Sequence, residues 1–422
     1  MIIKIISLFL ALAAVAVYIV PLRPPSWQRT TLGTKGAERF VALATMNNSP
    51  IVAWFDASSE GGVLVKRPES TSLSILNSLK LYLTKGVRNW VGENPDKTRF
   101  TGLFLSGAGT SDRAYLSYQE GNLGEEKLML SSFDGTRWTK EVADDVSNGL
   151  KVGMYTSLSI IKPSTPIIFY HTEQGRKFGF ALRTNNPSSP TKNQQPASNN
   201  WSRRTLETGT GLLTDTVSCG NSVFAAYRSR DTDDIHLGTL DYNNYNGYND
   251  YKNYKWTSRA LEASTSSGLA ITAVTSSNGC LPYLSYFDDK TSNVIFLNTV
   301  SGEKAIVGRG YNSRISLAAD KSGFLLLYPS QEGLTLARST DGRKWTLEIL
   351  DPDRRAGSYN SLKTSDRGDI YLAYIAQNQL KYEEYQVSAL EDMKKAKTIL
   401  ALLLFTLSAS LIFNLKFKIF NQ

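Results

Sequence analysis

Between residues 38 and 387 the apolar positions alternate with polar ones in short runs, punctuated by Gly, Asn, Asp and Ser, and sustained helical periodicity is absent. One run recurs, an apolar strand ending in an aromatic. It reads Pro50-Ile-Val-Ala-Trp-Phe-Asp56, Ala114-Tyr-Leu-Ser-Tyr-Gln-Glu120, Pro166-Ile-Ile-Phe-Tyr-His171 and Val223-Phe-Ala-Ala-Tyr-Arg228, then Pro282-Tyr-Leu-Ser-Tyr-Phe-Asp288, Phe324-Leu-Leu-Leu-Tyr328 and Ile370-Tyr-Leu-Ala-Tyr374. Each copy has a strand before it and another after it, and the fourth strand of a unit often opens on Trp, as at Trp138, Trp201, Trp256 and Trp345. Four short antiparallel strands repeated seven times predict an all-β chain folded as a seven-bladed β-propeller, with six or eight blades, an open array or a sandwich as the alternatives.

The last unit has only three strands of its own. Ser26-Trp-Gln-Arg-Thr-Thr-Leu32 carries the missing Trp-led pattern, so the N-terminal segment is expected to complete the last blade and close the ring. Three insertions interrupt the units between third and fourth strands, at 68–88, 185–200 and 242–254. The first spaces Leu73, Leu76, Leu79 and Leu83 as a helix would, while the others are rich in Pro, Ser, Asn and Tyr.

Both ends are apolar. Ile5 to Val20 follows Lys4 and stops at Pro21 and Pro24, which suits either a cleaved leader or an uncleaved anchor; the run outlasts the cleavage-like Ala14-Val15-Ala16 and favours the anchor. Thr398 to Phe413 is flanked by Lys394, Lys395 and Lys397 before it and by Lys416 and Lys418 after it, as in a bilayer-crossing helix, and Ser388 with Glu391 has capping-box spacing for its start. The organisation expected is therefore residues 1–25 as anchor and linker, 26–387 as propeller, and 388–422 as a C-terminal helix that enters the membrane. Arg23, Arg29, Lys35 and Lys394 to Lys397 on the propeller side rival Lys4, Lys416 and Lys418 outside it, so charge counting leans toward a cytosolic or matrix propeller. The sequons at Asn47 and Asn200 favour the luminal or extracellular side. Both tethers join strands of the last blade at the third-to-fourth-strand end, and that face is expected to look toward the bilayer.

Composition narrows the chemistry. The net charge of +9 is scattered rather than gathered into a basic stripe, which argues against a nucleic-acid partner. With only Cys219 and Cys280, thiols cannot build a zinc site, and the pair forms either one disulfide or two packed free thiols. His171 and His236 are the only histidines, and phosphate-binding loops are absent, so no metal site or cofactor is expected.

At Ser132-Phe-Asp-Gly-Thr-Arg-Trp138 and Ser339-Thr-Asp-Gly-Arg-Lys-Trp345 the chain resembles the Asp-box (BNR) repeats of sialidase-like propellers. The resemblance implies that Asp134 and Asp341 hold the turn between third and fourth strands, and that Trp138 and Trp345 pack between blades. It also implies, for a sialidase, an early Phe/Tyr-Arg-Ile-Pro motif, an arginine triad, a Tyr nucleophile and an acidic partner. That motif is absent, since Arg29 and Arg39 stand in Gln-Arg-Thr and Glu-Arg-Phe.

No catalytic residue is therefore assigned, and the expectation is a membrane-anchored module that binds or scaffolds a protein or glycan partner, with a sialidase-like hydrolase or a lectin as the alternative. Ligand-face candidates lie at or near the ends of the second strands: Trp54, Asp56, Tyr118, Glu120, Tyr170, Glu173, Arg228, Tyr286 and Asp288. Aromatic faces there would stack on a sugar and acidic neighbours would accept its hydroxyls. Polar residues after a strand are also ordinary turn formers.

Overall fold

The computed structural model describes residues 2–19, 22, 24–33, 36–57, 62–69, 88–96, 98, 101–121, 126–145, 152–161, 164–172, 176–184, 201–229, 232–242, 254–262, 266–277 and 279–420. The expected helix at Leu73 to Leu83, most of the other two insertions, Glu173 and Asn200 lie outside these residues.

Seven four-stranded sheets form the seven blades of a propeller ring. Six follow chain order, beginning at Ala37, Thr101, Met154, Thr210, Ser266 and Ser316. The seventh takes Asn360–Thr364, Ile370–Ala376 and Gln379–Tyr385 and receives Trp27–Gly33 as its outer strand. The seam is thus the one expected from the sequence. Arg29 holds it from the inserted strand, pairing with buried Glu383 at 3.1 Å and donating to the carbonyl of Leu350 in the sixth blade. Leu32 from the same strand is buried among Trp54, Tyr371 and Leu380. Arg29 is therefore a seam residue and not the early arginine of a substrate site.

The blades adhere through two devices that recur. In the first, a second-strand Tyr donates to an Asp at the outer strand of the preceding blade, and a cation of its own blade meets the same carboxylate. Tyr118 donates to Asp96 (3.0 Å) with Lys140 at 2.8 Å, Tyr170 to Asp144 (2.5 Å) with Arg203 at 2.9 Å, and Tyr374 to Asp351 (3.1 Å) with Lys381 at 2.7 Å. Burial alone would raise the Asp96 pKa, but hydrogen bonds from Lys140 and Thr98 outweigh it and hold the carboxyl below its usual range.

In the second device a fourth-strand Trp donates its indole N–H to a Glu on the preceding blade's fourth strand: Trp138 to Glu93 (2.6 Å), Trp201 to Glu141 (3.2 Å) and Trp256 to Glu207 (3.1 Å). Gly238 leaves room for Trp256, because a Cβ there would stand 1.9 Å from the ring. Cys219 of the fourth blade and Cys280 of the fifth are joined in a disulfide, which resolves the alternative of two free thiols.

Two helices flank this ring in sequence, α1 (Ile2–Ile19) and α2 (Val387–Phe420). α2 is long and apolar enough to cross a membrane over Val387–Phe413. The helices pack on each other through small residues. Ser7 and Ser408 each donate to the other's carbonyl oxygen (3.0 and 2.9 Å), with Leu10, Ala11 and Ala14 on one face and Ala401, Leu404 and Leu411 on the other at least half-buried. Leu8, Phe9 and Leu12, like Leu402, Leu403 and Phe405, are exposed. Small residues with reciprocal hydroxyl bonds are what close approach between apolar helices requires.

Candidate functional site: the central channel

The innermost strands of the blades surround a cavity of about 880 Å³ on the propeller axis. Its construction is read from the strand register. In every blade one first-strand residue faces the position just before the second-strand aromatic. Those residues are Ala42, Ser106, Ser157, Asp215, Ala270, Ser316 and Ser361. Where a side chain can accept a bond, it ties the ring together: Ser106 accepts from the Leu158 N–H, Ser361 from Leu43 N–H and Asp215 from Ile271 N–H. A small hydrogen-bonding residue satisfies that position, and Asp215 is its only charged occupant.

Two residues earlier stand Phe40, Phe104, Tyr155, Leu213, Gly268, Arg314 and Tyr359, all lining the cavity. The aromatic members touch in sequence around the ring, with centroids of Tyr359 and Phe40 5.3 Å apart, Phe40 and Phe104 5.1 Å, and Phe104 and Tyr155 4.6 Å. Four of the set are held in the left-handed region, Phe40 at φ 51°, Phe104 at 55°, Tyr155 at 50° and Leu213 at 68°. Bulges interrupt the first strand at the same place in those blades. Bulky side chains avoid that conformation at a cost of about 1–3 kcal/mol each, and repeated strain of this kind marks a place that the surrounding structure forces into shape. The result is an aromatic collar.

Two residues beyond the Asp215 ring a second departure occurs. Ala44, Ala108, Ser159, Val217, Thr272 and Ala318 occupy the equivalent position in six blades, and the seventh carries Lys363. Among the described residues the cavity wall thus holds four cations, Arg314, Lys363, Arg354 and Arg355, against one carboxylate, Asp215. Burial raises the Asp215 pKa against the pull of the Ile271 N–H and lowers those of Arg314 and Lys363. All three side chains are half-buried and line the channel.

The residues singled out from sequence fall elsewhere. Trp54, Tyr118, Tyr170 and Tyr286 are buried, the two middle ones in the Tyr–Asp devices, so their rings offer no sugar platform. Asp56 is also buried. Glu120 is half-buried, its pKa raised by burial and by neighbouring Asp96. A pair of carboxylates with separated pKa values would suit acid–base chemistry. Here, however, the surrounding Tyr–Asp–cation arrangement recurs in other blades, which points to packing. Asp288 caps its own turn by accepting from Lys290 N–H (3.0 Å) and Thr291 (2.7 Å), and Arg228 pairs with Asp233 at 2.6 Å.

Asp134 and Asp341 each hold a turn between third and fourth strands. Asp134 accepts from the N–H groups of Thr136 and Arg137 and from the Thr136 hydroxyl, which draws its pKa down to about 2. Asp341 accepts from the N–H groups of Arg343 and Lys344. Trp138 reaches the preceding blade, and Trp345 packs among Phe296 and its neighbours while donating to the Gly342 carbonyl. Asn47 is exposed in a two-residue hairpin. His171 is fully buried against Thr214, and burial pushes its pKa down to about 3, so it stays neutral and away from solvent. Among the described residues no three metal-ligating side chains converge.

The channel residues become legible once the strand pairing is known. Aligning the first strands backward from the second-strand aromatics isolates one Asp and one Lys among Ala, Ser, Val and Thr, and collects the collar two positions earlier.

Strain at the collar has a direct check. Phe104→Gly should leave the protein about 1–2 kcal/mol more stable than Phe104→Val in denaturant unfolding, because only the former relaxes the left-handed backbone. In a relaxed strand the β-branched variant would be the better of the two, and that order would remove the argument from strain.

No family model matches the chain, and no curated protein matches it. Among solved structures it is similar to virginiamycin B lyase from Staphylococcus aureus, with a TM-score of 0.50 at 9% identity over 86% of this chain and 100% of that one. It is also similar to the SapL1 lectin in complex with alpha methyl fucoside (0.47, 14%, 75% and 98%) and to the NanB sialidase from Streptococcus pneumoniae (0.44, 9%, 82% and 85%). At these identities the likeness shows the propeller fold alone.

Proposed function

We propose that the chain is a membrane-anchored propeller that binds a glycan or protein partner through its central channel without transforming it. The observation that carries this reading is the collar, four adjacent first strands bent into an unfavourable backbone to set side chains around one opening. The two-carboxylate form of glycoside hydrolysis lacks its pair here, since among the described residues Asp215 is the only carboxylate on the cavity wall. The packed apolar helices support anchoring, with α1 retained as a second span. The disulfide and the exposed sequon at Asn47 support an oxidising, luminal or extracellular site. The two Asp turns support kinship with Asp-box propellers, in which such turns are structural.

The test uses the full chain in mild detergent on a glycan array and in co-purification, beside an Ala318→Trp variant that plugs the channel. Wild type should retain a partner that the plugged variant loses, and neither should turn over a fluorogenic sialoside. Equal retention by both proteins, or turnover above a heat-killed control, would sink the reading.

A further inference from the structure

The seven blades repeat one inner strand, so a side chain that departs from the repeat stands out against six internal controls. Three such departures line the channel: Arg314 in the collar, Asp215 in the ring below it and Lys363 in the next. Packing does not demand them, because uncharged residues fill the equivalent places elsewhere: Phe, Tyr, Leu or Gly at the level of Arg314, Ala or Ser at that of Asp215, and Ala, Ser, Val or Thr at that of Lys363. Placing charge in an enclosed channel is unfavourable unless it is paired. Among the described residues no ion pair within 4 Å joins the three, and the Asp215 carboxylate is already engaged by the Ile271 N–H at 2.9 Å. Among the described residues Arg314 and Lys363 thus have no ion-pair partner within 4 Å, and the Asp215 charge acts on both only through space. Arg354 and Arg355 add positive charge to the same wall, the latter shared with Asp353 at 3.9 Å.

Resting on the reading of the channel as a binding site, we infer that its ligand is a small ring compound carrying an oxyanion, a sugar acid or a sugar phosphate. The oxyanion is held by Arg314 and Lys363 and the ring lies against the aromatic arc of Tyr359, Phe40, Phe104 and Tyr155. Arg provides a planar fork suited to carboxylate or phosphate oxygens, and Lys a point charge from the adjacent blade. Gly268 carries no side chain at the collar level, and a Cβ there would stand 2.3 Å from the Ser313 carbonyl. Asp215 is placed to accept a ligand hydroxyl and to disfavour a second anionic group.

Calorimetric titration of the full chain in detergent tests this with glucuronic acid, glucose 6-phosphate, glucose and inorganic phosphate. At least one of the two charged sugars should bind and saturate, glucose at least tenfold more weakly, and phosphate more weakly than the better charged sugar because it lacks the ring. Which charged sugar binds better identifies the source of the oxyanion. Arg314→Gln and Lys363→Met should each weaken that binding at least tenfold while melting at or above the wild-type temperature, a readout that a merely structural role would move downward. Glucose binding as tightly as the charged sugars, phosphate alone matching them, no binding of either charged sugar at millimolar concentration, or wild-type affinity in both variants would each overturn the inference. A partner still lost on Ala318→Trp while both charged sugars are inert would overturn only the oxyanion, leaving the channel as a binding site.

Discussion

Removing residues 26–33 should lower the melting temperature by about 10 °C or more, whereas replacing only residues 2–19 with a soluble tag should leave it nearly unchanged. The deletion takes away the outer strand of the seventh blade and strips buried Glu383 of Arg29. Losing a hydrogen bond to a buried charged group costs about 1.5–3 kcal/mol. Exposing Leu32 and its neighbours costs about 2 kcal/mol more, before any ladder bonds are counted. Arg29→Met alone should reproduce a measurable part of the loss, because it leaves Glu383 with its bond from Tyr374 (2.7 Å) and without its cation. Differential scanning calorimetry of the three proteins decides the matter. If the deletion and the helix replacement melt together, the N-terminal strand does not close the ring.

Replacing Cys219 and Cys280 together with Ala should lower the unfolding free energy by about 2–4 kcal/mol, the usual range for a bridge that closes a loop of this length. The sequence separation is 61, and the bridge joins two neighbouring blades at the ends of strands that meet no other covalent tie. The effect should be equalled by mild reduction of the wild-type protein, while reduction of the double variant should change nothing. Denaturant curves with and without reductant provide the comparison. A variant as stable as the oxidised wild type would mean that hydrophobic contacts such as those of Leu269 and Ile271 with Leu213 and Val217 hold the two blades unaided.

The parts of this protein legible in its sequence are those written in single-strand patterns. Period-two alternation ending on Tyr118, Tyr170 or Tyr374 marks a second strand, and the Trp-led run at Trp27 marks an outer strand in search of a sheet. Misreadings arose where a residue's role depends on the neighbouring blade. Tyr118 and Tyr170 look like exposed strand-end aromatics until Asp96 and Asp144 are seen to receive their hydroxyls from one blade away. The collar escaped notice for a different reason. Bulges shift the register just where Phe40, Phe104 and Tyr155 sit, so simple alternation loses count there, and only the pairing to the second strand restores it.

The seam also sets how the molecule bears load. The rings of Trp27 and Tyr385 lie 5.4 Å apart, so the inserted strand begins where its neighbour ends, and the chain leaves the propeller in both directions from one corner of one blade. Tension applied between the two chain ends at that corner would peel the strands apart one hydrogen bond at a time, instead of shearing the whole ladder at once. A closed ring would thus yield more readily to traction at this corner than to force along the strands, and the reciprocal bonds of Ser7 and Ser408 bind together the very segments through which such traction would arrive.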